Sequence, residues 1–134
     1  MDSSTLTPDL WALFAVLILT FAHLGLSSIV SLNQLGARYI LSPRDELQEA
    51  QGIAGRIVRS YRNLLESFAQ FAASLFLVHA ADAVGMLAAI GAWTFFAGRL
   101  LYIPAYAVGP SGVRPACWMT AQIGMLIILA DLFW

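Results

Sequence analysis

The sequence predicts an all-α membrane protein, a four-transmembrane-helix up-down bundle that forms a single domain over residues 1–134. Three observations lead there. The chain is 60% hydrophobic and 11% charged, with a mean hydropathy of +0.76, outside the range of soluble globular domains. Long apolar stretches recur, each near the roughly 20 residues that cross a hydrocarbon core about 30 Å thick. One long polar connection and two short ones separate them, so neighbouring helices run antiparallel.

The first helix is expected over about residues 8–33. Thr7-Pro8 places a capping threonine before a proline whose missing N–H costs nothing in the first turn. From Leu10 to Leu32 the only ionisable group is His23, read as a neutral histidine bonded to a neighbouring helix. The leading Met1-Asp-Ser-Ser-Thr has no basic region and no small-residue cleavage site follows the apolar run, so the helix is expected to stay in the mature protein.

Residues 34–55 carry Arg38, Ser42-Pro43-Arg44-Asp45-Glu46 and Gln51-Gly52, a turn-rich water-exposed loop. The second helix, about 55–81, opens on a polar stripe and becomes lipid-compatible from Phe68 to Ala80. A break at Ala81-Asp82 precedes the third helix, about 84–107, which turns polar at Arg99, Tyr102 and Tyr106, spaced i, i+3 and i+7 on one face. Gly109-Pro110-Ser111-Gly112 is a tight turn. Arg114-Pro115 then opens the fourth helix, about 113–133, with Trp134 at the membrane boundary. Small residues at packing spacings, Gly85, Ala88, Ala89 and Ala92 on the third helix and Ala69, Ala72 and Ala73 on the second, allow close approach in lipid and predict an oligomer.

Charge narrows the function. A net charge of −1 leaves no basic surface for nucleic acid. The single cysteine, Cys117, excludes an internal disulfide, and with only His23 and His79 besides, no metal-ligand spacing can be assembled. All seven basic residues are arginines. Arg38, Arg44, Arg56 and Arg59 flank the long loop and Arg114 lies in the last turn, so the positive-inside rule puts loop 34–55 in the cytoplasm and both termini outside.

That topology gathers the polar residues at one depth. On a helix, Arg56, Arg59, Arg62, Asn63 and Glu66 share a sector of about 120°. Arg99, Tyr102, Tyr106 and Arg114 come to the same end of the bundle. Two readings stand. Glu66 and Arg99 neutralise each other while Arg56 and Arg62 reach lipid phosphates. Alternatively Arg59, Arg99 and Arg114, outnumbering the one carboxylate Glu66, leave a cationic surplus that an anionic or zwitterionic ligand satisfies. For Arg56 and Arg62 the first reading is preferred.

At these residues the chain resembles the membrane-associated proteins in eicosanoid and glutathione metabolism, the MAPEG family, and its bacterial members in particular. The resemblance rests on Arg56-x-x-Arg59-x-x-Arg62-Asn63-x-x-Glu66, on Phe96-Ala-Gly98-Arg99 with Tyr102 and Tyr106, and on Arg114 followed by Ala121-Gln122. It implies a homotrimer in a bacterial cell membrane, with glutathione held between subunits. It assigns Arg59, Asn63, Glu66, Tyr106 and Gln122 to glutathione, with Arg99 and Tyr102 beside them, and Arg114 to the thiol. Gln34 and Arg38 are the candidates for a first-helix contact. The chain departs from the pattern at Trp118, where catalytic members commonly carry tyrosine, and at Pro115, where prostaglandin E synthase has serine. The implied activity is that of a transferase or peroxidase acting on lipophilic electrophiles through an arginine-stabilised thiolate. The alternative is a non-catalytic membrane module binding lipid or a protein partner.

Overall fold

The computed structural model describes residues 6–133, so the expectations for the first five residues and for Trp134 lie outside it. It is all-helical, with no strand among the described residues. The elements are α1 (Pro8–Leu35), α2 (Ala37–Ile40), α3 (Gly52–Ala80), α4 (Met86–Val108) and α5 (Val113–Ala130), closed by a 3-10 turn at Asp131–Phe133. The long loop is shorter than its composition suggests, because α1 runs on to Leu35 and α3 begins at Gly52. Gln34 fastens its two ends together: its side chain bonds the backbone N–H and C=O of Gln51.

Among the described residues, three helical segments are long and apolar enough to cross a membrane: Pro8–Leu35, Met86–Val108 and Val113–Phe133. Helix α3 differs. Its charge-free part, residues 67–80, measures about 20 Å at 1.5 Å per residue, short of a hydrocarbon core of roughly 30 Å. Arginines and a glutamate occupy the rest, so α3 can lie at membrane depth only where neighbouring helices or water meet those groups.

Helices α4 and α5 pack most extensively, through a glycine seam. A Cβ at Gly91 would run into the carbonyl of Gly124, and one at Gly124 would sit 2.7 Å from the backbone nitrogen of Phe95. Such close approach supplies dispersion contacts where lipid removes the hydrophobic drive between helices. Phe71 of α3 stacks on Phe95 at 4.1 Å between ring centroids, and the core continues through Ala12, Val16, Leu75, Ala92, Met125 and Ile128.

The two ends of the molecule are built differently. At one end Asp9 of α1, 1% exposed, meets His79 of α3 at 2.7 Å. There too Asp131 accepts from the backbone N–H groups of Gly85 (2.9 Å) and Ala88 (2.7 Å), capping the start of α4 from the far end of α5. Trp93 donates to the carbonyl of Pro8. At the other end the only such tie among the described residues from α3 to α4 at the helix terminus is Arg56, which donates to the carbonyl of Ala107 at 3.1 Å. Arg56 thus meets one of the orphan carbonyls of α4.

Candidate functional site

The basic end opens into a cavity of about 540 Å³ whose wall comes from three helices. Helix α3 supplies Arg59, Arg62, Asn63 and Glu66, spaced i, i+3, i+4 and i+7, which is one face. Helix α4 supplies Tyr102 and Tyr106, one turn apart, and the first turns of α5 supply Arg114, Pro115 and Trp118. The α5 contribution depends on Gly112. Its φ of +98° is open to glycine and strained for other residues, and it lets the chain leave the turn and enter α5 with Arg114 facing α4.

A row of guanidiniums and aromatic rings runs from the cavity wall inward. The Arg114 guanidinium lies 5.0 Å from the Tyr106 ring centroid, Tyr106 is 5.4 Å from Tyr102, and Arg99 sits 5.4 Å over Tyr102 and 5.5 Å over Phe95. The rings' negative faces hold the two guanidiniums. Arg114 is exposed to the cavity, whereas Arg99 is 1% exposed and lies behind it.

Arg99 acts on the cavity through Asn63. Its Nη1 donates to Asn63 Oδ1 at 2.7 Å. That bond settles which way the amide points: the oxygen faces Arg99, and the NH₂ group is left to donate elsewhere, toward the cavity that Asn63 lines. The Nε and Nη2 of Arg99 are buried without a hydrogen-bond partner.

The structure therefore brings together Arg59, Asn63, Glu66, Tyr102, Tyr106 and Arg114 of the residues named from sequence, places Arg99 one layer behind, and leaves Gln122 off the cavity wall. Neither Gln34, committed to Gln51, nor Arg38, exposed on α2, lines it. Among the described residues Glu66 has no cation within ion-pair distance, so the expected pairing with Arg99 is not formed in the single chain. Arg62 is the residue that sequence reasoning assigned elsewhere. It lines the cavity with the others, and its place three residues after Arg59 on the same stripe was the signal for it.

The chemistry of the wall follows from this inventory. Three arginines face one carboxylate, giving a surplus of positive charge, while an amide NH₂ and two phenols add donors. Exposed Glu66 offers the complementary acceptor for an ammonium. Such a wall suits an anionic or zwitterionic ligand. His23 lies elsewhere, 2% exposed, bonded to Ser60 of α3 at 2.9 Å in the interhelical role expected of it.

Residues 10–134, nearly the whole chain, match the model of the MAPEG family. With its three apolar helices, the match makes the chain an integral membrane protein. No curated relative matches it.

Proposed function

We propose that this chain, which belongs to the MAPEG family, binds glutathione in the α3–α4–α5 cavity and transfers or oxidises its sulfur against lipophilic electrophiles or hydroperoxides. The observation that carries this reading is the separation of roles around one cavity: Arg59, Arg62, Asn63 and Glu66 on the α3 side, Arg114 on the α5 side.

The α3 side anchors. Arg59 and Arg62 pair with the two carboxylates, Glu66 takes the ammonium, and Asn63, held by Arg99, donates through its NH₂. Tyr106 carries Arg114 on its ring and offers its phenol O–H to the peptide. The α5 side activates. A thiol of pKa roughly 8.5 is mostly protonated at neutral pH. Arg114, at the positive N-terminal end of α5, favours the thiolate by charge and by hydrogen bonding, with no general base required. The thiol proton is released to water, and the thiolate then attacks in one of two ways. At an electrophilic carbon it forms a C–S bond as the leaving group departs with its electron pair. At the terminal oxygen of a hydroperoxide it breaks the O–O bond, releasing the alcohol and leaving a sulfenic acid that a second glutathione thiol converts to disulfide and water.

The wider frame belongs to the same proposal. Four long helices span the membrane as a bundle, α3 with its charged half shielded by neighbours, and three copies close each other's open cavities. Gln122 then meets ligand or neighbour only in the assembly. The basic end faces the cytoplasm of a bacterial inner membrane, since the opposite end, with Asp9, His79, Asp82 and Asp131, has no arginine or lysine.

Pro115 and Trp118 favour a second reading. Both line the cavity beside Arg114 and neither offers a hydroxyl, which suits a module that binds a ligand without activating it. One experiment separates the two. Glutathione should stabilise the purified protein against heat and give rise to the thiolate ultraviolet band well below the thiol's usual pKa. Arg114→Lys keeps a charge but loses the planar fork, so the band should fall sharply while stabilisation persists. Stabilisation without the band in the wild type would establish the non-activating module, and no stabilisation at all would remove glutathione from the site.

A further inference from the structure

Arg59 and Arg62 stand between two cavities. Behind them, between the end of α1, the long loop and the start of α3, lies a second space of about 300 Å³. Its α1 wall carries Ser27, Ser28 and Ser31, and Arg44 enters from the loop. None of these four lines the first cavity.

The floor of this space is polar well below the helix ends. Ser27 is 7% exposed and follows His23 by one helical turn. The His23–Ser60 bond therefore lies directly beneath it, and His23 Nδ1 is buried there without a partner. Charge in the cavity is lopsided, with Arg44, Arg59 and Arg62 against Glu49. Arg44 is also held in an unusual way. Its φ is +60°, a conformation that costs a non-glycine residue, and it is fixed by its N–H bonding Ser42 Oγ and its Nη2 bonding the carbonyl of Ile40. With one guanidinium nitrogen tied back at the end of α2, its position at the cavity rim is set in advance.

The rim is apolar. Leu35, Ile40 and Leu47 line it, and Leu47 is 90% exposed, as is nearby Leu41 at 85%. Ile29 and Leu32 of α1 are exposed as well. A cationic, hydroxyl-lined space of modest volume with an apolar rim matches an amphiphile whose small head is anionic and whose tails stay outside.

We propose that this second cavity is a binding site for the headgroup of an anionic phospholipid of the phosphatidylglycerol type, its acyl chains lying along Leu41, Leu47 and the outer face of α1. Arg44, Arg59 and Arg62 take the phosphate, and Ser27, Ser28 and Ser31 take the headgroup hydroxyls. The site does not depend on the glutathione reading, but it is coupled to the first cavity because Arg59 and Arg62 face both. A lipid that draws these arginines inward changes what they offer on the other side, and the coupling is reciprocal.

The test uses purified full-length protein in mild detergent, with phosphatidylglycerol, phosphatidylcholine or inorganic phosphate added, read by thermal unfolding and by native mass spectrometry of retained lipid. Phosphatidylglycerol should raise the unfolding midpoint and be retained over phosphatidylcholine on the order of tenfold, as expected when surplus arginines read net charge. Arg44→Gly relieves the backbone strain, so it should fold at least as well as wild type and yet lose most of that preference. Ser31→Leu, which fills the cavity, should lose it too, while Arg114→Gln should keep it. Equal effects of the two lipids, equal stabilisation by inorganic phosphate, or an undiminished preference in Arg44→Gly would each overturn the proposal.

Discussion

The Arg99–Asn63 bond makes a quantitative prediction, because its two partners differ in their access to water. Replacing Arg99 with Met removes a cation that is 1% exposed and refills most of its volume with apolar atoms. What remains is the Asn63 oxygen, on a residue only half-buried at the cavity wall, where water can reach it. The expected cost is that of one ordinary hydrogen bond, about 1 kcal/mol. Replacing Asn63 with Leu does the reverse. It strips the guanidinium of its only hydrogen-bond partner among the described residues, in a place where Nε and Nη2 already have none. Leaving a buried charged donor without its hydrogen bond costs about 3 kcal/mol, and the contacts over Phe95 and Tyr102 are present in wild type and variant alike, so they do not repay it. Asn63→Leu should therefore destabilise several times more than Arg99→Met, and the double variant should recover most of the loss. Thermal and denaturant unfolding of the three proteins in the same detergent, analysed as a double-mutant cycle, measures this. If Asn63→Leu proved no worse than Arg99→Met, Arg99 would be reached by water and its role behind the cavity would have to be abandoned.

Other expectations follow from the same structure. Asp131→Leu leaves the Gly85 and Ala88 N–H groups unpaired and should destabilise by about 2 kcal/mol or more, with Asp131→Asn milder, read by unfolding midpoint. Gly91→Leu drives a side chain into the Gly124 carbonyl and should separate α4 from α5, seen as loss of monodisperse protein on size exclusion. Single cysteines at Asp45 and at the C-terminus, in a Cys117→Ser background, should label from opposite sides of the membrane; labelling from one side would refute the four-span proposal. Native mass spectrometry across mild detergents should show trimers, and monomer alone would exclude the assembly.

Much of the basic end was legible in the sequence because it is written along helices. Arg59, Asn63 and Glu66 share a face by spacing alone, as do Tyr102 and Tyr106, and chain reversal at short turns brings those faces to one depth. Pairings across helices were not legible. Glu66 was the obvious partner for Arg99 by charge, yet the amide of Asn63 reaches it instead and Glu66 turns to the open cavity. Charge complementarity predicts that some partner exists, and only packing decides which. Asp9, His79 and Asp131 gave no periodic signal, since each is a single polar residue at a helix end whose partner lies on another helix.

Those missed residues explain how the molecule can leave its basic end open. At membrane depth every helix terminus exposes orphan backbone groups, and every unpaired charge is costly. At the acidic end two buried carboxylates are answered within the chain: Asp9 is matched by His79, and Asp131 by the Gly85 and Ala88 N–H groups at the start of α4, which ties α1 to α3 and α5 to α4. The glycine seam extends the α4–α5 tie along their length. With the helices fixed there and through the core, the basic end is free to keep Arg59, Arg62, Glu66 and Arg114 around a cavity without ion-pair partners among the described residues. A network that neutralised itself would have brought Glu66 onto an arginine. An unspent surplus of donors, held by a fold anchored elsewhere, is what supports the proposal of an anionic ligand there.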